Sequence, residues 1–303
     1  MKPTDIYIIG NGVIAKALAV TLTLNNRRVT ILRGSIDDQA AITENIQVEA
    51  GDSLIQAEIN ISTISNYEKL DGIILLANKS FGNHTLAGKL QGKTGSSPIV
   101  FLQNGLHIEN SFIEPGFTDI YRCVLFATSQ SASEGKVRFK LVAASPIGII
   151  KGSDETLQSI VDEINTAVFP FRTEEDIQTV IWKKVICNCV FNSICPLLEI
   201  DNGVFHRNES ALEMAKLVIA ECLAVAHTFK IQLSFQEVMD NLLSLSRMSD
   251  GQKISTYQDI LNKRETEIET LNLAIAKVAG DIPVPVTTLL GQLAKLKSDL
   301  SRI

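Results

Sequence analysis

The sequence is poor in the groups that build metal and disulfide sites. Its 303 residues include only four histidines, His84, His107, His206 and His227. None has a carboxylate or a second histidine at ligand spacing, so no metal centre and no histidine-based triad is expected. The five cysteines, Cys123, Cys187, Cys189, Cys195 and Cys222, are odd in number and lack a CxxC pair. That argues for reduced core thiols rather than a disulfide framework or a zinc site. Positive charge is not in excess: 28 Lys and Arg against 34 Asp and Glu leave a net charge of -6. A broad basic surface for nucleic acid or anionic lipid is therefore not implied. Long apolar runs are missing as well. Val29 to Leu32 and Ile73 to Ala77 are strand-length, far short of the ~20 residues that span a bilayer. Met1-Lys2-Pro3-Thr4 does not resemble a secretion signal, because an apolar strand follows at once, and a cytoplasmic location is expected.

That strand leads into the most informative stretch of the chain. Residues 6 to 15 read Ile-Tyr-Ile-Ile-Gly-Asn-Gly-Val-Ile-Ala. In the turn Gly10-Asn11-Gly12-Val13-Ile14-Ala15, Gly10 frees the backbone to leave the strand and Gly12 lets the main chain approach a pyrophosphate. Ala15 lets the next helix pack closely, with its amides aimed at phosphate. A glycine triplet alone is weak evidence. Its context, an amphipathic helix from Lys16 to Leu24 and a second strand at Arg28 to Arg33, is that of one βαβ unit binding a dinucleotide.

The end of that second strand separates NAD from NADP. An acidic residue there holds the ribose hydroxyls, whereas a 2′-phosphate needs a cation. The chain reads Arg33-Gly34-Ser35, with Asp37 and Asp38 beyond the expected position. Arg33 offers a planar fork for phosphate, so NADP(H) is the expected cofactor.

Further strands are expected at Gly72–Ala77 and Ile99–Leu102, and a small hairpin at Ile46–Val48 and Ile59–Ile61. Lys79 and Asn104 follow strand ends, where open α/β sheets bind ligands. Shorter strands at Arg122–Thr128, Val137–Leu141 and Ile147–Lys151 read as an antiparallel extension. A helix from Glu155 to about Phe169 follows. Beyond a boundary near Arg172 the periodicity is helical: about Asp176–Asn192, Ser210–Phe229, Phe235–Leu245, Lys263–Ala279 and Val286–Leu300. The expected plan is α/β: a Rossmann-type doubly wound sheet over residues 1–172, then an all-α domain over 173–303, with a cleft between them. Oligomeric state, monomer or homodimer, stays open, because sequence alone does not separate an exposed apolar stripe from a core one.

Within the first long helix, Lys184, Asn188 and Asn192 recur every fourth residue in an otherwise apolar run, stacking a cation and two amides on one face. Burying an isolated lysine is costly, so that face meets water, a carboxylate or a ligand. Lys183 projects about 100° away and reads as a surface charge. A second cluster, Ser255-Thr256-Tyr257-Gln258-Asp259 followed by Thr266-Glu267-Ile268, is equally readable as a solvated helix start.

Taken together, the N-terminal GxGxxA, Gln103-Asn104-Gly105, Trp182-x-Lys184-x-x-x-Asn188-x-x-x-Asn192, Ser255-x-x-Gln258-Asp259, Arg264-x-Thr266-Glu267-Ile268 and the late Ile282-Pro283-Val284-Pro285 resemble the ketopantoate reductase family. The motifs run over nearly the whole chain in the family's order. The resemblance implies NADPH-dependent reduction of 2-dehydropantoate to pantoate, in pantothenate biosynthesis. It makes Lys184 the catalytic lysine and Glu267 the substrate-orienting glutamate. Asn188, Asn192 and Ser255 then hold the keto acid, Asn104 lies beside the nicotinamide, and Arg33 and Lys79 read the 2′-phosphate, Lys79 with a one-residue shift that otherwise aligns Asn78. Leu273 departs from the pattern, since the family carries Asn-Gly where this chain has Asn272-Leu273, and it bears on the choice of keto acid. The rival readings are a reductase of another 2-keto acid and a non-catalytic NADP(H)-binding module. A 6-phosphogluconate-type dehydrogenase lacks support, as no cationic pocket for a substrate phosphate stands out.

Overall fold

The computed structural model describes residues 4–37, 39–133 and 135–303. Asp38, one of the two acids weighed against Arg33, and Met1-Lys2-Pro3 lie outside the described residues. In chain order the elements are β1 (Asp5–Ile9), α1 (Val13–Leu24), β2 (Arg28–Arg33), β3 (Ile42–Ala50), β4 (Ser53–Thr63), β5 (Ile73–Leu76), α2 (Asn83–Leu90), β6 (Ile99–Phe101), α3 (Asn110–Ile113), β7 (Ile120–Cys123), β8 (Ala127–Ser133), β9 (Lys136–Leu141), β10 (Ser145–Lys151), α4 (Asp154–Ile164) and β11 (Phe171–Thr173). Then come α5 (Ile177–Leu198), α6 (Val204–Arg207), α7 (Glu209–Thr228), α8 (Phe235–Met248), α9 (Ser255–Leu261), α10 (Asn272–Val278) and α11 (Pro285–Ser301). The chain forms two compact units. One comprises residues 1–103 and 109–177, the other 104–108 and 178–303.

The first unit is a Rossmann-type α/β layer built on one sheet in the order β11-β10-β7-β6-β5-β1-β2-β4-β3-β9-β8. Its middle, from β7 to β4, is parallel throughout. A parallel sheet is buried on both faces, which is why β1, β5 and β6 read as unbroken apolar runs rather than alternating ones. On one face Ile6, Ile8, Ile31, Ile61, Leu75 and Val100 pack with Ala15, Leu18, Ala19 and Leu22 of α1. Each large side chain so buried contributes about 1.5–3 kcal/mol of transfer free energy.

Antiparallel strands close both ends of this core. The segment Arg122–Thr128, read as one strand, is two: β7 joins β6 in parallel and β10 in antiparallel fashion, while β8 lies at the opposite end of the sheet. No glycine or proline marks the break, so the apolar pattern runs through it. The small hairpin at Ile46–Val48 and Ile59–Ile61 is the long β3–β4 pair, with nine residues in register. The helix expected to reach Phe169 ends at Ile164, and Arg172 falls inside the edge strand β11.

The second unit is helical. Its axis is α5, 22 residues continuing through Pro196. By length and composition α5 passes for a bilayer span, yet 72% of its most apolar stretch is buried in the fold, where Trp182, Val185, Ile186, Val190 and Phe191 form core contacts. All five cysteines are buried and free. Burial pushes the Cys187 thiol up to about 11 and Cys195 to about 12, so neither is a nucleophile near neutral pH. At the N-terminus of α11, Val286 and Thr287 donate their N–H groups to the two oxygens of Glu221 on α7, satisfying orphan helix donors.

Just past α5, Asp201 gathers the next turn. It accepts from the Gly203 and Gly251 amides at 2.7 and 3.2 Å and from Arg207 Nη2 at 2.7 Å, and Arg207 continues to Asp250 at 2.6 Å. The Arg207 guanidinium, with those amides, holds the Asp201 carboxyl down at about 2. A carboxyl ordinarily titrating near 3.9 and lowered on folding stabilises the fold above its unfolded value, and the gain disappears as pH falls through the folded value. Asp201→Asn is therefore expected to lower the urea midpoint at pH 7. The gap to wild type should hold down to about pH 4 and close towards about pH 2, as followed by circular dichroism at a series of pH values.

Candidate active site

In the first unit, β1 ends in a turn that only glycine can make. Gly10 has φ +119°, and a Cβ there would come within 2.7 Å of the Asn78 amide nitrogen at the end of β5. Gly12, in contrast, opens onto free space: a Cβ placed on it meets nothing within 4 Å. From there α1 starts at Val13 with no side-chain cap and no acidic residue in its first turn. The leading amides of a helix lack intrahelical acceptors, so Val13, Ile14 and Ala15 present donors beside an open glycine while fully buried Ala15 seats the helix on the sheet. Nearby, Asn78 donates to the Lys79 carbonyl at 2.9 Å, but its Oδ1 is buried and without a partner. Uncapped amides for phosphate oxygens and an orphaned acceptor for a hydroxyl are a donor set that fits a dinucleotide.

Arg33 ends β2 half-buried, its Nη1 bonded to the Ala40 carbonyl at 3.3 Å. The structure adds a cation that the sequence did not single out. Lys89, on α2, pairs with Asp37 at 2.5 Å and reaches the Gly34 carbonyl at 3.4 Å, so it serves the same loop from another element. Lys89 stands 55 positions from Gly34 in sequence, and only the folding of α2 onto that loop brings it near. Lys79, half-buried, leads into the single helical turn Ser80–Gly82 before α2.

After β6 the chain leaves the first unit for five residues, Asn104–Ile108, which belong to the second. Both ends of this excursion are fastened in the sheet unit. Gln103 and Asn83 exchange two amide hydrogen bonds of 2.8 Å, both side chains buried. At the return, Glu109 meets Arg122 of β7 at 2.6 Å in a pair that is almost fully enclosed. Within the second unit, Gly105 has φ +114° and lies so near Thr270 that a Cβ would approach its Cβ and Oγ1 to 2.5 Å. Leu106 N–H donates to the Thr270 carbonyl at 2.9 Å. Thr270 in turn donates from both its amide and its hydroxyl to the Glu267 carbonyl at 3.0 Å. Asn104 and Glu267, far apart in sequence, thus sit on two loops clamped through one threonine. His107 rests on Phe229, which also packs on Trp182 of α5.

The helix expected over Lys263–Ala279 is broken by these contacts. Lys263 is left-handed at φ +54°, Arg264 follows in irregular backbone, Ile268–Thr270 forms one tight turn, and α10 starts only at Asn272. With the Thr270 carbonyl given to Leu106, a continuous helix loses one of its acceptors.

On α5, Lys184 and Asn188 are half-buried and Asn192 is 2% exposed. The Asn192 Oδ1 accepts from Ser255 Oγ and from the Thr256 amide, both at 3.3 Å, joining the predicted α5 stripe to the start of α9. Lys183, on the adjacent face, pairs with Glu237 at 2.7 Å on the surface. Asn272 and Leu273 lie hard against α11: a Cβ on Gly291 of that helix would lie 2.7 Å from Asn272 Cβ and 3.0 Å from Leu273 Cδ2.

Comparison with known proteins gives one consistent result. Residues 6–151 match the family description "Ketopantoate reductase PanE/ApbA", and residues 176–298 match "Ketopantoate reductase PanE/ApbA C terminal". The 2-dehydropantoate 2-reductase of Pyrococcus horikoshii is 26% identical, over 97% of this chain and 98% of that protein. Among solved structures, a PanE/ApbA family ketopantoate reductase from Ralstonia eutropha JMP134 shares the fold with a TM-score of 0.86 at 21% identity, covering 99% of this chain and 100% of that one. D-mandelate dehydrogenase, solved with NADH and anilino(oxo)acetate, shares it at 0.85 and 22%, with the same coverage.

The Thr270 clamp is open to a direct test. Thr270→Val keeps the shape and removes the hydroxyl bond, and Thr270→Ser keeps the bond. If the clamp sets the Glu267 loop, the valine variant should lose about 1 kcal/mol of stability, read from its thermal midpoint, and the serine variant should recover most of it.

Proposed function

The chain belongs to the ketopantoate reductase family, and from that premise we propose that it reduces 2-dehydropantoate to pantoate with NADPH, as a step towards pantothenate. The single observation that carries this reading is the α5 stripe. A lysine and two asparagines share one face of a buried helix, and Asn192 is tied to Ser255 at 3.3 Å.

The cofactor residues are the turn Gly10, Asn11, Gly12, Val13, Ile14 and Ala15, with Arg33 and Lys79 on the 2′-phosphate, Lys89 as a further cation for it, and Asn104 at the nicotinamide. When bound, reduced nicotinamide supplies a hydride to the keto carbon. The protein's share is positioning and proton supply. Negative charge grows on the carbonyl oxygen as the ketone is reduced, and the Lys184 ammonium stabilises that oxygen and delivers its proton. Asn188, Asn192 and Ser255 do not titrate near neutral pH and fix the carboxylate and carbonyl of the keto acid. Glu267 accepts from a substrate hydroxyl and thereby orients the chain of the acid. The two cations near Gly34 favour NADPH over NADH, because a 2′-phosphate is a strong partner for a planar guanidinium and an ammonium.

One observation favours a second reading, the reduction of another 2-keto acid. Leu273 places a branched side chain beside Asn272 where the family pattern has none. A substrate panel with NADPH and NADH separates the two. Turnover of 2-dehydropantoate with NADPH supports the first, and preference for a different 2-keto acid the second. Tight NADPH binding without turnover of any acid overturns both.

Two variants test the assigned roles, with absorbance of reduced nicotinamide as the readout. Lys184→Met should lower kcat by about 10² to 10⁴ while leaving NADPH affinity, measured by fluorescence, unchanged; undiminished kcat removes the lysine from its role. Arg33→Ala should raise KM for NADPH by about tenfold or more and leave KM for NADH nearly unchanged. Equal effects on both cofactors remove the 2′-phosphate contact.

A further inference from the structure

The loop after β2 carries an acid as well as a cation. In sequence Asp37 stands four residues past Arg33, beyond the position at which an acid holds ribose hydroxyls. The fold brings it back. Arg33 is in register with Thr63 at the end of β4. Thr63 Oγ1 lies 3.0 Å from Ser65 Oγ, and Ser65 donates to the Asp37 carbonyl at 2.5 Å. A short chain of hydrogen bonds thus pins Asp37 to the strand end paired with Arg33. Its side chain turns the same way. Asp37 Oδ2 meets the Lys89 ammonium at 2.5 Å, and that ammonium also reaches the Gly34 carbonyl at 3.4 Å. Gly34 rests over the end of β1, where a Cβ on it would stand 3.4 Å from Ile9 Cγ2. The carboxylate is therefore held at the nucleotide edge of the sheet. Its second oxygen, Oδ1, is buried without a hydrogen-bond partner, an acceptor not yet used.

We propose, on the NADPH reading above, that Lys89 sets the cofactor preference by silencing Asp37. With the ammonium in place the loop takes the 2′-phosphate of NADPH; without it, the same loop takes the ribose hydroxyls of NADH. Discrimination then rests on a suppressed acid as much as on the cations that attract phosphate.

An unneutralised carboxylate at this edge favours NADH in two ways. Its oxygens accept from ribose hydroxyls, and its charge repels a 2′-phosphate, itself close to doubly negative at neutral pH. Over the distance between neighbouring side chains salt does little to relieve that repulsion, since the Debye length is about 8 Å at physiological ionic strength. Lys89 removes both effects at one contact, occupying Oδ2 and cancelling the charge. An ammonium carries three donors, and Asp37 and Gly34 take two of them. The same group can cancel the acid and still donate to a phosphate oxygen. The pair is also partly enclosed, Lys89 at 28% and Asp37 at 35% side-chain exposure. It is thus unlike the fully solvated surface pairs that contribute little.

Fluorescence titration of the full chain with NADPH and with NADH, in the absence of any keto acid, tests this independently of turnover. Lys89→Met should weaken NADPH binding by about 10- to 100-fold and leave NADH as tight or tighter. Adding Asp37→Asn to that variant should restore much of the NADPH affinity and abolish any gain for NADH. Asp37→Asn alone should hold or tighten NADPH, and Lys89→Arg, which keeps the charge, should hold the preference. Equal weakening of both cofactors by Lys89→Met overturns the proposal. So does a double variant with no recovery, because Lys89 then serves the phosphate alone. Weaker NADPH binding by Asp37→Asn alone overturns it too, since the acid is then only a support for the lysine. Those three failures leave the NADPH reading standing, whereas a wild type that binds NADH in preference overturns both.

Discussion

The second unit is organised by the cost of carrying polar groups on a helix that is otherwise core. On α5, Asn192 is enclosed to 2% exposure, and an amide so placed without partners costs ~1–3 kcal/mol. Ser255 and Thr256 meet that cost by bringing α9 to it. The same helix receives the Asn272 amide at the Cys189 carbonyl, 3.1 Å away, which fastens α10, and Asn272 in turn is the surface against which Gly291 sets α11. Successive helices are therefore placed by the polar requirements of α5, and its apolar remainder supplies the burial that makes those placements stable.

Much of this was legible in the sequence, for identifiable reasons. The β1 turn and α1 are local: glycine at positive φ, a small residue at the helix contact and a 3.6-residue period are all written in consecutive residues. The spacing of Lys184, Asn188 and Asn192 is likewise a property of one helix. What could not be read depends on distant partners. Nothing between Arg122 and Thr128 announces that the chain crosses from one end of the sheet to the other, and the propensities of 263–279 favour a helix that tertiary contacts interrupt at Thr270. Lys89 escaped notice for the same reason, since its place beside Gly34 is made by α2 folding back onto the loop after β2.

Around Leu273 the close approach of two helices rests on a glycine of α11: a Cβ on Gly291 would lie 2.7 Å from Asn272 Cβ and 3.0 Å from Leu273 Cδ2. The buried face of α11, Thr287, Gly291, Ala294 and Ser298, is small throughout, and its leucines Leu289, Leu293, Leu296 and Leu300 face outward.

The five residues 104–108 carry a consequence for anyone dividing this molecule. The helical unit is discontinuous, completed by a short loan from the middle of the sheet unit. A fragment beginning at Gln178 would leave the Thr270 carbonyl without Leu106 and strip His107 from Phe229. Exchange of whole domains between relatives therefore cannot be done with one cut: a functional chimera has to transplant the loop together with the helices that receive it.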